Sequence, residues 1–266
     1  GTDAVAALGT AQVNALGSAQ FGSLTTDQVK ALTTAQARAL GAEQAKGLTS
    51  GQLEVLQTTD LVQLSTATVA ALTTDALAGL STAGQAQALG SAQVGALTTE
   101  QLLSLTTEQI NALVSQGAVG LKSSQLSELD TGRLNALSTG AFEVLTTTAL
   151  RGLSSTQFGA LTTEQLVALS TSQAASLVTG QVSGLDTSQV SVLQSQDLGR
   201  LSTAVVASLA TDAVSGILGN SLVGLTSTQV GSLTTDQVSV LTTGQLAALG
   251  TDEGAGLRSA QLSVLD

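Results

Sequence analysis

Two carboxylates whose environments push their pKa values apart can serve as a general acid and a general base. Glu100 and Glu108 offer such a pair, eight residues apart and each set in the phrase T-T-E-Q; Asp252 and Glu253 are the only adjacent acidic residues. The side chains that most often carry proton transfer, metal ligation or nucleophilic attack are missing, since the chain has no His, Cys or Tyr. The calcium loops G-G-x-G-x-D and D-x-D-x-D-G do not occur, and the 28 glycines are dispersed rather than gathered into a phosphate-binding loop. These residue types predict a chain with no catalytic residue, no metal site and no cofactor, in which Glu100 and Glu108 answer a structural demand.

That demand is a repeat. In LTTDQVKALTTAQARAL, Leu24 to Leu40, one eight-residue phrase is said twice. Leu recurs every eight residues from Leu8 to Leu80; STAGQAQAL, Ser81 to Leu89, carries one extra residue, either a kink or drift; the count then resumes to Leu265, with Ile217 the one substitute. The chain is 33 octads, one of them enlarged, and reads as a single uninterrupted array over residues 1–266. It starts in phase, stops one residue into a new octad, has no distinct terminal octads and contains no Met, so it reads as a length of a longer array.

With the Leu numbered position 8, position 2 is Ser or Thr in 31 of 33 octads, position 4 is most often Gln, and position 5 is apolar in all but one. Position 7 is usually Ala, Gly or Ser. Ten of the 19 carboxylates stand at position 3, Glu100 and Glu108 among them, where the start of a helix favours negative charge.

A strand would put positions 5 and 8 on opposite faces; a helix puts them on one. A continuous helix fails as well, because eight residues turn ~800° and the apolar stripe would drift ~80° per octad. The spacing therefore predicts an all-α solenoid of very short capped helices, one per octad, with a three-sided β-solenoid as the alternative. Its core is Leu24, Val29, Leu32, Leu40, Phe142 and Phe158, the two Phe filling position 5. The S/T-x-x-Q capping box points to position 1 as the cap, yet position 1 tolerates Val114, Lys122, Val178 and Leu218. The near-invariant hydroxyl at position 2 is therefore favoured, with Thr26, Thr34, Gln28 and Gln36 as the expected capping residues. The Thr and Gln rows read first as capping and inter-octad hydrogen bonding, and second as a hydroxyl lattice for ice or glycan.

Leu161 to Leu169, LTTEQLVAL, resembles the L-T-P-E-Q helix start of transcription activator-like effector repeats, which implies a helix start over that octad. The whole chain, rich in Thr, Ala, Gly and Val and without Cys, resembles the repetitive tracts of very large bacterial exported proteins such as adhesins and surface fibres. That resemblance implies an extracellular or cell-surface location. A net charge of −11 with only eight scattered basic residues argues against a nucleic-acid surface. Apolar residues make up 42% of the chain with mean hydropathy +0.34, which argues against disorder, and no apolar run is long enough to cross a bilayer. The expected role is a structural stalk, fibre or self-assembling filament, with copies of the same chain as partners and no enzymatic activity.

Overall fold

The computed structural model describes residues 1–265. Among them there is no strand, and short helices follow one another at one per octad, so the fold is all-α and solenoid-like and the β-solenoid alternative is overturned. The octad at 33–40 shows how the pattern folds. Thr33 is extended, Thr34–Ala39 is helical, and Leu40 is extended again. The Ala37 N–H donates to the Thr33 carbonyl at 2.9 Å and the Leu40 N–H to the Ala37 carbonyl at 3.1 Å. In this octad two extended residues, positions 8 and 1, reset the chain direction and keep the apolar stripe from drifting.

A helix of one to two turns is unstable alone, and within each unit helices pack on the helix three octads further along. In one part of the chain Thr10–Asn14 packs on Thr34–Ala39, and Ser18–Gly22 on Ala42–Gly47; in another, Ser155–Gly159 packs on Thr179–Val182. Positions 4, 5 and 8 face the interior, while positions 1 to 3 stay at the surface except at the buried Val114. Contacts gather into two compact units, one of Gly1–Leu129 with Ala136–Leu145, the other of Asp130–Asn135 with the residues from Thr146 onward. The same winding is present within each.

Val29, Leu32, Leu40, Phe142 and Phe158 are buried, but Leu24 is half-exposed, as are Leu8 and Leu16. These three Leu belong to the first three octads. Large and small residues are matched across turns. Phe21 and Phe142 are fully buried, and each lies on a helix packed against one carrying Ala at position 5, Ala45 and Ala118 respectively. Volume is thereby conserved where a bulky ring enters a core built for Val and Leu.

Two octads depart from the pattern. In STAGQAQAL the extra residue is absorbed by a kink at Ala83 (φ −83°, ψ 81°) and Gly84 (φ 115°, ψ −58°) inside Thr82–Ala86. Gly84 is the only residue with positive φ among the described residues. In the octad at 114–121 the helix Thr107–Gly117 runs on through Leu113 and Val114 without a break. Val114 offers no capping side chain and Gly117 no carboxamide. The octad at 218–225 lacks both as well and still breaks, so the loss permits the run-on without dictating it.

Candidate functional site

A helix this short leaves most of its backbone N–H groups at one end and C=O groups at the other without intrahelical partners. The Gln at position 4 meets both needs at once. Gln36 accepts the Thr33 N–H on Oε1 at 2.7 Å. Its Nε2 donates to the carbonyls of Val5 at 2.8 Å and Leu8 at 2.7 Å. Those carbonyls close the helical segment four octads earlier, 31 and 28 residues back. One carboxamide thus caps the start of its own helix and the end of another a turn away.

The geometry repeats along both units. Gln52 reaches Leu24, Gln101 reaches Val69 and Leu72, Gln181 reaches Leu150, Gln229 reaches Leu198 and Leu201, and Gln261 reaches Val230 and Leu233. Each of these Gln is buried, where an unsatisfied amide would be costly, and each is satisfied. With helix packing at three octads and the carboxamide reaching to the fourth, a turn of either unit holds between three and four octads. The ladder also absorbs the insertion. Gln85 keeps its bonds to the Leu53 and Leu56 carbonyls, both 2.7 Å, at a separation one residue longer.

This arrangement corrects the expected cap. Thr26 and Thr34 are the first helical residues of Thr26–Lys30 and Thr34–Ala39; the N-caps are Thr25 and Thr33, at position 1, whose hydroxyls accept the N–H groups of Gln28 and Gln36 at 3.2 and 3.3 Å. Gln28 and Gln36 do cap, through Oε1 on the position-1 N–H. That bond needs no particular side chain at position 1 and is made equally to Gly41, Lys122, Val178 and Arg258. Position 1 is free to vary because Gln does the indispensable part of the capping.

Position 2 contributes its carbonyl to a close approach. A Cβ on Gly47 would lie 2.1 Å from the Ser18 carbonyl oxygen, and the same crowding recurs for Gly79 against Ser50, Gly120 against Ser91, Gly184 against Ser155, Gly224 against Ser195 and Gly256 against Ser227. In every pair Ser stands at position 2 and Gly at position 7, three octads on. Sequence reasoning missed this coupling, although its signal was present.

The candidate acid–base residues are not drawn together. Glu100, Glu108 and Asp252 are exposed helix-start acids, and Glu253 is half-buried at position 4. Its own backbone N–H and the hydroxyls of Thr106 and Thr107 hold the Glu108 carboxyl below the usual range, and the same set of groups does so at Glu164 with Thr162 and Thr163. A general acid needs a shift in the other direction. No group of three or more acidic side chains is placed to hold a metal ion among the described residues.

None of the curated proteins compared with this chain matches it. The ALTTAQ repeat family model matches residues 1–34, 83–115, 141–171 and 220–251, together just under half of the chain. The hexapeptide itself stands at Ala31–Gln36 and covers positions 7, 8, 1, 2, 3 and 4: the core Leu, the cap, the first helical residue and the ladder Gln. In these four stretches the chain is similar to the ALTTAQ repeat, and it is a repeat protein of regular short helices.

Proposed function

We propose that the chain is a structural element, a stretch of extended stalk or fibre at the cell surface or outside the cell, that associates with copies of itself and carries no enzymatic activity. The observation that supports this most is the buried Gln ladder. Octads such as those of Gln36 and Gln229 complete another four octads away, so that adding octads of this kind extends the object without changing its rule. Length is then the variable such a protein supplies. The acidic, Cys-free composition, similar to that of large exported bacterial proteins, supports the location, and the net charge of −11 speaks against nucleic acid as a partner. No helix among the described residues is long and apolar enough to cross a membrane. Electron micrographs of the purified chain over a range of concentrations test the reading. Uniform filaments that lengthen with concentration are expected, and isolated short rods at every concentration would overturn self-assembly.

A second reading has one observation in its favour. Thr25 with Thr26, Thr98 with Thr99 and Thr106 with Thr107 are exposed or half-exposed and present paired hydroxyls at the surface. Such pairs suit a regular polar lattice, ice or a polysaccharide. Ice-recrystallisation inhibition and glycan binding by the rods are the corresponding assays.

A further inference from the structure

Asp197 holds position 4 of the octad at 194–201, the place from which Gln elsewhere reaches carbonyls 28 and 31 residues back. Counting back from 197 gives Leu169 and Leu166. Both line, with Asp197, an enclosed apolar space of about 10 Å³ that Phe158, Leu177 and Leu193 help to close. That is at the lower limit for holding even one water. Asp197 is 5% exposed, and its Oδ1 is buried without a hydrogen-bond partner. Asp60, at the same position in the octad at 57–64, is served differently: the Thr34 hydroxyl donates to its Oδ1 at 2.7 Å. Thr171, the counterpart of Thr34, makes no such bond to Asp197 Oδ1.

A carboxylate only accepts, so an ionised Asp197 cannot cap a carbonyl as Gln does; one proton turns it into a donor. We propose that Asp197 is a proton-operated rung: ionised, it leaves the ladder open between the octads at 162–169 and 194–201, and protonated by solvent, its O–H donates to the Leu166 or Leu169 carbonyl and closes it. Mild acid then tightens this turn of the second unit. The helices packed on Ser195–Leu198, which are Thr171–Ala175 and Gly219–Leu222, carry no titratable group. The charged residues of the octads lining the space are Glu164, Asp186 and Arg200, all exposed. Burial alone raises the Asp197 carboxyl above the ordinary Asp value. A group raised on folding binds its proton more tightly in the folded state, so its contribution grows as pH falls through the folded value and is complete below the unfolded one.

The test uses the full chain. Carboxyl ¹³C NMR, with the Asp197 signal assigned by its loss in D197N, reads the titration directly. Thermal unfolding against pH is then compared for the wild type, D197Q, D197N and the exposed control D236N. D197Q is expected to raise Tm near neutral pH by about 2–4 °C, with the gap to wild type closing in mild acid, where the wild type acquires its own donor. D197N should show the same closing gap, and D236N should not. If D197Q fails to fold, D197N and the NMR titration decide. A titration at or below the ordinary Asp value, or a gap that does not change with pH, would overturn the proposal.

Discussion

The carboxamide nitrogen of Gln52 donates to the Leu24 carbonyl across 2.6 Å, while its oxygen accepts the Thr49 N–H at 2.9 Å. Replacing Gln52 by Ala orphans a helix-start donor and a helix-end acceptor together. With each orphan costing about 1–3 kcal/mol, Q52A is expected to lose roughly 2–6 kcal/mol in urea unfolding followed by circular dichroism. Q52E keeps an acceptor for Thr49 but turns a carboxylate toward carbonyl oxygens. It should be worse than Q52A near neutral pH and recover in acid, and equal stability of the two variants at both pH values would show that the reach to Leu24 does not matter.

Ser18 and Gly47 set how closely two helices approach. A Cβ at 47 would lie 2.1 Å from the Ser18 carbonyl oxygen and 2.8 Å from its carbon, and backbone cannot give way as a flexible side chain can. G47A is expected to cost about 1–3 kcal/mol. A Cβ on Gly180, inside Thr179–Val182, would meet nothing within 4 Å, so G180A should stabilise by about 0.5–1 kcal/mol through helix propensity and a less flexible unfolded chain. Paired melting curves of the two variants check the sign of each, and a neutral G47A would remove the steric account of the Ser–Gly pairs.

How much of this could be read beforehand depends on range. Positions 5 and 8 sharing a face, and the need for a break in each octad, follow from the angular period of a helix and were legible from Leu24, Val29 and Leu32. The cap was misplaced because a near-invariant hydroxyl looked more important than a variable one. The structure reverses that weighting, since Gln relieves position 1 of its duty at Lys122 and Val178 alike. The reach from Gln36 to Leu8 depends on how many octads make a turn, which no local rule supplies. The long-range trace in the sequence is the recurrence of Gly 29 residues after Ser, as in Ser18 with Gly47 and Ser155 with Gly184. It has meaning once the two are known to touch.

Acid should act on the exposed helix starts in the sense opposite to Asp197. Glu108 and Glu164 are held below the ordinary Glu value by their own backbone N–H groups and neighbouring Thr hydroxyls. A depressed folded pKa contributes stability that is present above the unfolded value and lost as pH falls through the folded one. Tm should therefore decline as pH drops through and below the usual carboxylate range, and the decline should be shallower in the E108Q/E164Q double variant. A double variant with the same acid slope as wild type would mean that these carboxylates titrate alike in both states.

Gly84 gives the last prediction, a deletion. Removing it turns STAGQAQAL into STAQAQAL, an ordinary octad with Gln at position 4. The enlarged octad already keeps its rung, because Gln85 bonds both Leu53 and Leu56 at 2.7 Å and accepts the Ser81 N–H at 3.0 Å. The extra residue is confined to the kink at Ala83 and Gly84, and the octads after it pair without a shift: Gln93 still reaches Leu61 and Leu64. Deleting Gly84 should therefore leave the helical circular dichroism unchanged and hold or raise Tm. G84A, which keeps the residue but forces a side chain to φ 115°, should cost about 1–3 kcal/mol. Were the insertion a bend on which later octads depend, the deletion would destabilise more than G84A, and the order of the two melting temperatures decides between these accounts.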